Sequence, residues 1–174
     1  MGKRFLKTEI LSKLKRQFST KARGVMPKVH KTKTRSSEVN EVAVKYNATR
    51  ENSYNLVNEA QNGISVSAFF DLLVVSGLSK DELSTLLDVS FKTIQRYQKE
   101  DKKLSALNSE QVLKMITLYQ KAEEVFGEIP SFNRWLRKPA HGFGSHKPLH
   151  LMQTPGGIDL IYEELLRIEH GTLA

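Results

Sequence analysis

The stretch Leu78–Leu104 limits what this chain can fold into more than any other segment. It opens on Ser79-Lys80-Asp81-Glu82, a capping box. In such a box the Ser hydroxyl accepts from the backbone N–H three residues on, and the Glu carboxylate accepts from the backbone N–H of the Ser. The helix so started carries Leu83, Leu86 and Leu87; Asp88 interrupts it, and Ser90 caps a second helix from Phe91 to about Glu100. Two short helices across so brief a break form a helix-turn-helix. Leu83, Leu87, Val89, Ile94 and Tyr97 fall where that motif buries apolar groups between its helices, and Ser84 falls where the helices approach too closely for a large side chain. The turn after Leu87 requires a left-handed residue, a conformation that Asp88 tolerates better than most non-glycine residues.

The remaining sequence is helical in the same manner. Ser53–Gln61 is a short helix closed by Asn62-Gly63. Ser65 is placed to cap a helix with Val66, Phe69, Phe70, Leu73 and Val74 as its apolar face, ended by Gly77. Asn108 and Gln111 form a cap pair for a helix of about five turns, whose face is Val112, Met115, Ile116, Tyr119 and Phe126 and whose stop is Gly127. Ser131 is placed to cap a short helix with Phe132, Trp135 and Leu136, halted at Lys138-Pro139. Residues 139–153 read as an irregular loop. Thr154-Pro155 starts a last helix with the stripe Ile158, Ile161, Tyr162, Leu165 and Ile168, closed by Gly171. No long alternating strand pattern and no internal repeat is present. The expected class is all-α: a helix-turn-helix bundle over residues 38–128, followed by a small, mostly helical unit over residues 129–174.

Charge separates off a third region. Residues 1–35 hold 12 Lys/Arg and a single acid, Glu9, whereas residues 36–174 hold 15 Lys/Arg against 18 Asp/Glu. The basic balance therefore resides in an arm, residues 1–37, and the body is near neutral. Within the arm, Lys3–Phe18 can be written as an amphipathic helix through Leu6, Ile10, Leu14 and Phe18, and Ser19–Ser37 reads as disordered. Such an arm suits an anionic partner such as nucleic acid, or a solubilising or targeting tail, and its acid-poor Ser, Thr and Arg content is superficially that of an organellar transit peptide. No apolar run approaches 18 residues, so a transmembrane helix is not expected. The absence of Cys removes disulfides, thiol catalysis and Cys-based zinc sites, and is compatible with a cytoplasmic protein.

The chemistry lies on the second helix of the motif. Ser90, Lys92, Thr93, Gln95, Arg96 and Lys99 form its outward face, with three cations and no acid. Hydroxyl, amide and cationic groups are the types that read base edges or grip phosphates. An ordinary helical hairpin usually mixes signs on such a face, so DNA binding is the expected function. His141, His146 and His150 cluster in the loop, but Pro148 interrupts them and no acid lies between Glu128 and Asp159, so no metal site is expected. Pro155-Gly156-Gly157 lacks the Lys-Ser/Thr of a phosphate loop and reads as a helix start that allows close packing. Neither a nucleophile elbow nor a carboxylate pair stands out, so neither an enzyme nor a cofactor is expected.

The chain from about Gly63 to Ala174 resembles antitoxins of the Xre/MbcA/ParS type. The resemblance is carried by Leu78-Ser79-Lys80-Asp81-Glu82-Leu83, Val89-Ser90-Phe91-Lys92-Thr93-Ile94-Gln95-Arg96, Val125-Phe126-Gly127, Trp135-Leu136, Pro148-Leu149, Leu151-Met152-Gln153-Thr154, Gly156-Gly157 and Arg167-Ile168-Glu169-His170-Gly171, in that order. It implies an Xre-like helix-turn-helix joined to a C-terminal toxin-binding domain. The implied partner is a RES-domain toxin that consumes NAD or transfers ADP-ribose, with the C-terminal domain covering the toxin's active site. The complex would repress its own operon as a homodimer or a higher hetero-oligomer with toxin. By the same resemblance Trp135, Leu136, His141, Arg167, His170 and Gly171 are the expected toxin-binding residues. Ala140 stands where that pattern commonly has Asn, and the basic arm has no counterpart in it. The alternative reading is a stand-alone helix-turn-helix regulator whose C-terminal unit serves dimerisation.

Overall fold

A computed structural model describes residues 36–50 and 52–171. Lys3–Phe18, read above as an amphipathic helix, lies outside the described residues. Those described form nine α-helices in the order α1 Ser36–Lys45, α2 Ser53–Asn62, α3 Ser67–Ser76, α4 Lys80–Leu86, α5 Phe91–Lys99, α6 Ala106–Phe126, α7 Ile129–Leu136, α8 Pro148–Leu151 and α9 Pro155–His170. A 3-10 turn, His141–Phe143, lies between α7 and α8. Among the described residues the only strand-like pairing is an isolated bridge, Ser65 to Lys103, so the all-α class holds.

The helix ends follow local chemistry. The capping box at Ser79 is complete: Glu82 N–H donates to Ser79 Oγ at 3.1 Å, and Ser79 N–H donates to Glu82 Oε2 at 2.9 Å. Ser90 accepts from Thr93 N–H at 3.1 Å, and Thr154 accepts from Gly157 N–H at 3.0 Å. Each such cap stabilises a helix by about 0.5–2 kcal/mol. Gly77, Gly127 and Gly171 adopt left-handed backbones at the ends of α3, α6 and α9. Asp88 does the same in the turn of the motif, with φ 49°.

The core is built around α6. Val112, Leu113, Met115, Ile116, Leu118, Tyr119 and Ala122 are all fully buried, so this helix is enclosed on several sides rather than on one face. It packs against α9, α2, α1, α7 and α3. One apolar cluster runs from Val39 on α1 to Ile168 on α9. Each large side chain taken fully out of water contributes about 1.5–3 kcal/mol.

Five details depart from the sequence reading. The buried face of α3 is Ala68, Phe69, Leu72, Val75 and Ser76, while Val74 is 70% exposed; the stripe is rotated from the expected one. Ser65 still binds Ser67 N–H, at 3.3 Å, although Val66 precedes the first helical residue. The long helix is capped by Ser105, which accepts from Asn108 N–H, and not by an Asn108–Gln111 pair, because both amides are engaged elsewhere. Helix α7 begins at Ile129, ahead of Ser131, whose hydroxyl bonds the Glu128 carboxylate. Finally, α1 was not foreseen; it starts at Ser36, inside the last two residues assigned to the basic arm, and buries Val39 and Ala43.

Candidate DNA-binding and partner-binding faces

The helix-turn-helix is α4, the turn and α5. Leu83, Leu87 and Ile94 are buried between the helices, with Val89 and Tyr97 half-buried beside them. Ser84 is buried, in keeping with a position that admits only a small side chain, and its hydroxyl has no hydrogen-bond partner. Phe91 at the start of α5 packs against Phe69 and Phe70 of α3, with ring centroids 6.1 and 6.3 Å away, which fixes the N-terminal end of α5 on the bundle.

That anchoring turns Lys92, Gln95, Arg96 and Lys99 outward as one exposed stripe at positions i, i+3, i+4 and i+7. Ser90 and Thr93, expected on the same face, are occupied: their hydroxyls bond each other at 2.9 Å within the cap. Arg96 lies 5.7 Å over the Tyr97 ring. Beyond α5, Lys102 pairs with Glu100 at 2.6 Å, which holds the Glu100 carboxyl below its ordinary range, and Lys103 donates to the Asn62 carbonyl. The stripe is therefore cationic and without a carboxylate of its own.

In the C-terminal part, Trp135 and Leu136 are core residues. Leu136 is 0% exposed and Trp135 8%, so Leu136 offers a partner no side-chain surface. Trp135 sits among Phe126, Phe132 and Phe143, with ring centroids 5.8, 5.8 and 6.3 Å away. The physical reason is the spacing already noted: Phe132, Trp135 and Leu136 share the one face of α7 that meets α6. Through Phe143, Trp135 holds the loop that begins at His141. Arg167 and His170 are on the exposed side of α9, where Arg167 Nε donates to Glu164 Oε2 at 2.8 Å. Gly171 ends the helix, with φ 73°. At Gly157 an added Cβ would stand 1.9 Å from the Leu151 carbonyl oxygen, so Gly157 serves close packing of α8 on α9, whereas a Cβ at Gly156 would meet nothing within 4 Å. Among the described residues no three His, Cys, Asp or Glu side chains gather as a metal site, and no helix is long and apolar enough to cross a membrane.

Polar links between the motif and the C-terminal part escaped the sequence reading. Arg137 pairs with Glu82 at 2.6 Å; burial opposes the Glu82 charge, yet the Ser79 N–H and Arg137 together hold its carboxyl below the ordinary value. Asn133 donates to the Ser76 carbonyl at 2.7 Å and accepts from Tyr119 at 3.0 Å. Arg50 donates to Thr117 and Asp159 and lies 4.1 Å over the Tyr162 ring, at the edge of a groove of about 1010 Å³. Lys114 pairs with both Asp159 and Glu110 beside it. Apart from the i,i+4 pair of Glu110 and Lys114, these links join residues far apart in the chain, so no local spacing announces them.

The structure thus joins a helix-turn-helix with an exposed cationic stripe to an aromatic-cored helical unit. Residues 56–116 match the antitoxin Xre-like helix-turn-helix domain, and residues 121–171 match the antitoxin Xre/MbcA/ParS C-terminal toxin-binding domain. The chain belongs to the Xre/MbcA/ParS-type antitoxins. It is similar to the antitoxin Xre of Pseudomonas putida, 26% identical over 98 residues, which cover 56% of this chain and 58% of that protein. It is also similar to the antitoxin Xre of Yersinia enterocolitica, 22% identical over 120 residues, 68% of this chain and 81% of that one. The similarity thus spans less than two thirds of the Pseudomonas protein's length.

Proposed function

We propose that this chain neutralises a RES-type toxin, one that consumes NAD or transfers ADP-ribose, by covering its active site with the C-terminal domain. The same chain binds operator DNA through α5 and autoregulates its operon from the cytoplasm, as a homodimer or within a larger complex with toxin. One observation carries the reading: an exposed, acid-free cationic stripe on the second helix of an Xre-like motif, in one chain with a domain of the toxin-binding family. The residues assigned to DNA are Lys92, Gln95, Arg96 and Lys99, with Ser90 and Thr93 at the helix start. Those assigned to the toxin are Arg167, His170 and Gly171 at the end of α9 and the His141 loop that Trp135 and Leu136 support. A planar guanidinium suits a pocket built for a dinucleotide, because its fork of donors matches phosphate and carboxylate oxygens.

The test is a separation of functions. Arg167→Glu in a chain truncated after His170, which keeps the buried Ile168 and the Glu169–Lys121 pair, should abolish growth rescue while leaving helicity and DNA binding nearly intact. Retained rescue by the truncated protein would move the interface to the Trp135–Thr154 region. If no toxin binds at all, while DNA binding persists, the chain is a stand-alone regulator.

A further inference from the structure

The α4–α5 turn that aims the DNA stripe ends on carbonyls that their own helix leaves unpaired, as helix C-termini do. Side chains from the first turns of α6 supply the donors. Asn108 Nδ2 donates to the Leu87 carbonyl at 2.9 Å. Gln111 Nε2 donates to the Leu86 carbonyl at 2.7 Å and, with its other hydrogen, to the Met152 carbonyl at 2.8 Å. Met152 is itself fully buried, two residues ahead of Thr154, the cap of α9. A single buried amide group, on a residue 3% exposed, thus holds the turn that launches α5 and the turn that launches α9.

We infer that Gln111 is a positioning residue that couples the DNA-binding face to the partner-binding domain. The inference rests on the two-site reading above. Both hydrogens of the amide are committed, and both carbonyls belong to buried residues, Leu86 and Met152. A displacement of either turn must therefore break a buried hydrogen bond or carry the other carbonyl with it, and an unmet buried polar group is costly. Holding the α4–α5 turn by binding DNA along α5 restrains the Leu86 carbonyl, and through Gln111 it restrains the Met152–Thr154 turn. By linkage, a partner that restrains α9 tightens the DNA face in the same proportion. Asn108 touches the motif side alone and cannot transmit the restraint.

The experiment is hydrogen exchange of the full chain, read on residues 148–160, with and without duplex DNA from the region upstream of its own coding sequence. Binding of the duplex is verified first by mobility shift. In the wild type, saturating DNA should slow exchange at Thr154, Gly157 and Ile158 by about five-fold or more, the lower end of ordinary coupling between sites. Gln111→Met keeps the shape and removes both donors; its exchange over 148–160 should no longer respond to DNA. Asn108→Ala should weaken DNA binding yet keep the response at saturation. If Gln111→Met does not fold, the side-chain amide protons of Gln111 in the wild type provide the readout, and DNA should slow their exchange by a similar factor. Bound DNA without any change at 148–160, or a response that survives in Gln111→Met, overturns the coupling. A wild type that binds no duplex defeats the two-site reading, and the coupling with it.

Discussion

At the scale of single residues, the cationic stripe makes the sharpest demand. Arg96→Ala should weaken specific DNA binding by about 1–3 kcal/mol if the guanidinium reads a base. A phosphate contact would instead lower affinity evenly across sequences and shrink the log–log salt slope by about one unit. A mobility-shift titration on the upstream DNA distinguishes the two, and unchanged affinity in both Arg96→Ala and Lys99→Ala removes α5 from the account. Gly157 makes a packing demand: a Cβ 1.9 Å from the Leu151 carbonyl oxygen must push α8 and α9 apart. Gly157→Ala should therefore cost about 1–3 kcal/mol in a denaturant melt, although Ala favours a helix. Glu82 makes a pH demand. Its folded carboxyl titrates below the ordinary 4.5, so its contribution is present above that value and is lost as pH falls through the lowered one. The deficit in Tm of Glu82→Gln should be clear near neutral pH and close as the solution is taken to about pH 3; a deficit constant with pH would separate Glu82 from its partners at Ser79 and Arg137.

At the scale of elements, what could be read from sequence was what depends on neighbours in sequence. The caps at Ser79, Ser90 and Thr154 and the stops at Gly77, Gly127 and Gly171 are local hydrogen-bond and backbone chemistry, and the structure has each of them. The buried face of α3 was misread because Ser67–Ser76 is apolar almost all round, so several stripes fit the same residues. Helix α1 was missed because Ser36–Lys45 mixes Val and Ala with three charged residues, two Ser and Asn, and only packing on α6 and α3 selects Val39 and Ala43. The exposed cationic stripe was legible as a run of residue types, but the commitment of Ser90 and Thr93 to the cap was not. The core place of Trp135 was legible in its spacing with Phe132 and Leu136. Gln111 shows the limit: it looks like a cap and is a clasp, because its partners, the Leu86 and Met152 carbonyls, are distant in the chain. For the arm, the charge on residues 1–35 predicts a separable effect. Removing it should lower non-specific DNA affinity and its salt dependence while leaving the cooperative melt in place. Loss of that melt would make the arm structural.

At the scale of the molecule, a single core shared by both matched domains, joined by Gln111, Asn133 and the Arg137–Glu82 pair, makes the chain one cooperative body with two outward faces. One helix-turn-helix covers little DNA, and specific sites are usually read by two copies about one helical turn apart. Light scattering should therefore find a homodimer, or a toxin complex holding two or more copies; a monomer both free and on operator DNA contradicts this. The central claim is that the two faces do separate work in one antitoxin, and growth rescue of cells producing the cognate toxin tests it most directly. The antitoxin is supplied from an unrelated promoter as wild type, as Arg96→Ala with Lys99→Ala, or as Arg167→Glu with truncation after His170. The account predicts rescue by the wild type and by the Arg96/Lys99 variant, and none by the truncation. Rescue by the truncated chain, or its loss in the folded Arg96/Lys99 variant, would contradict the account.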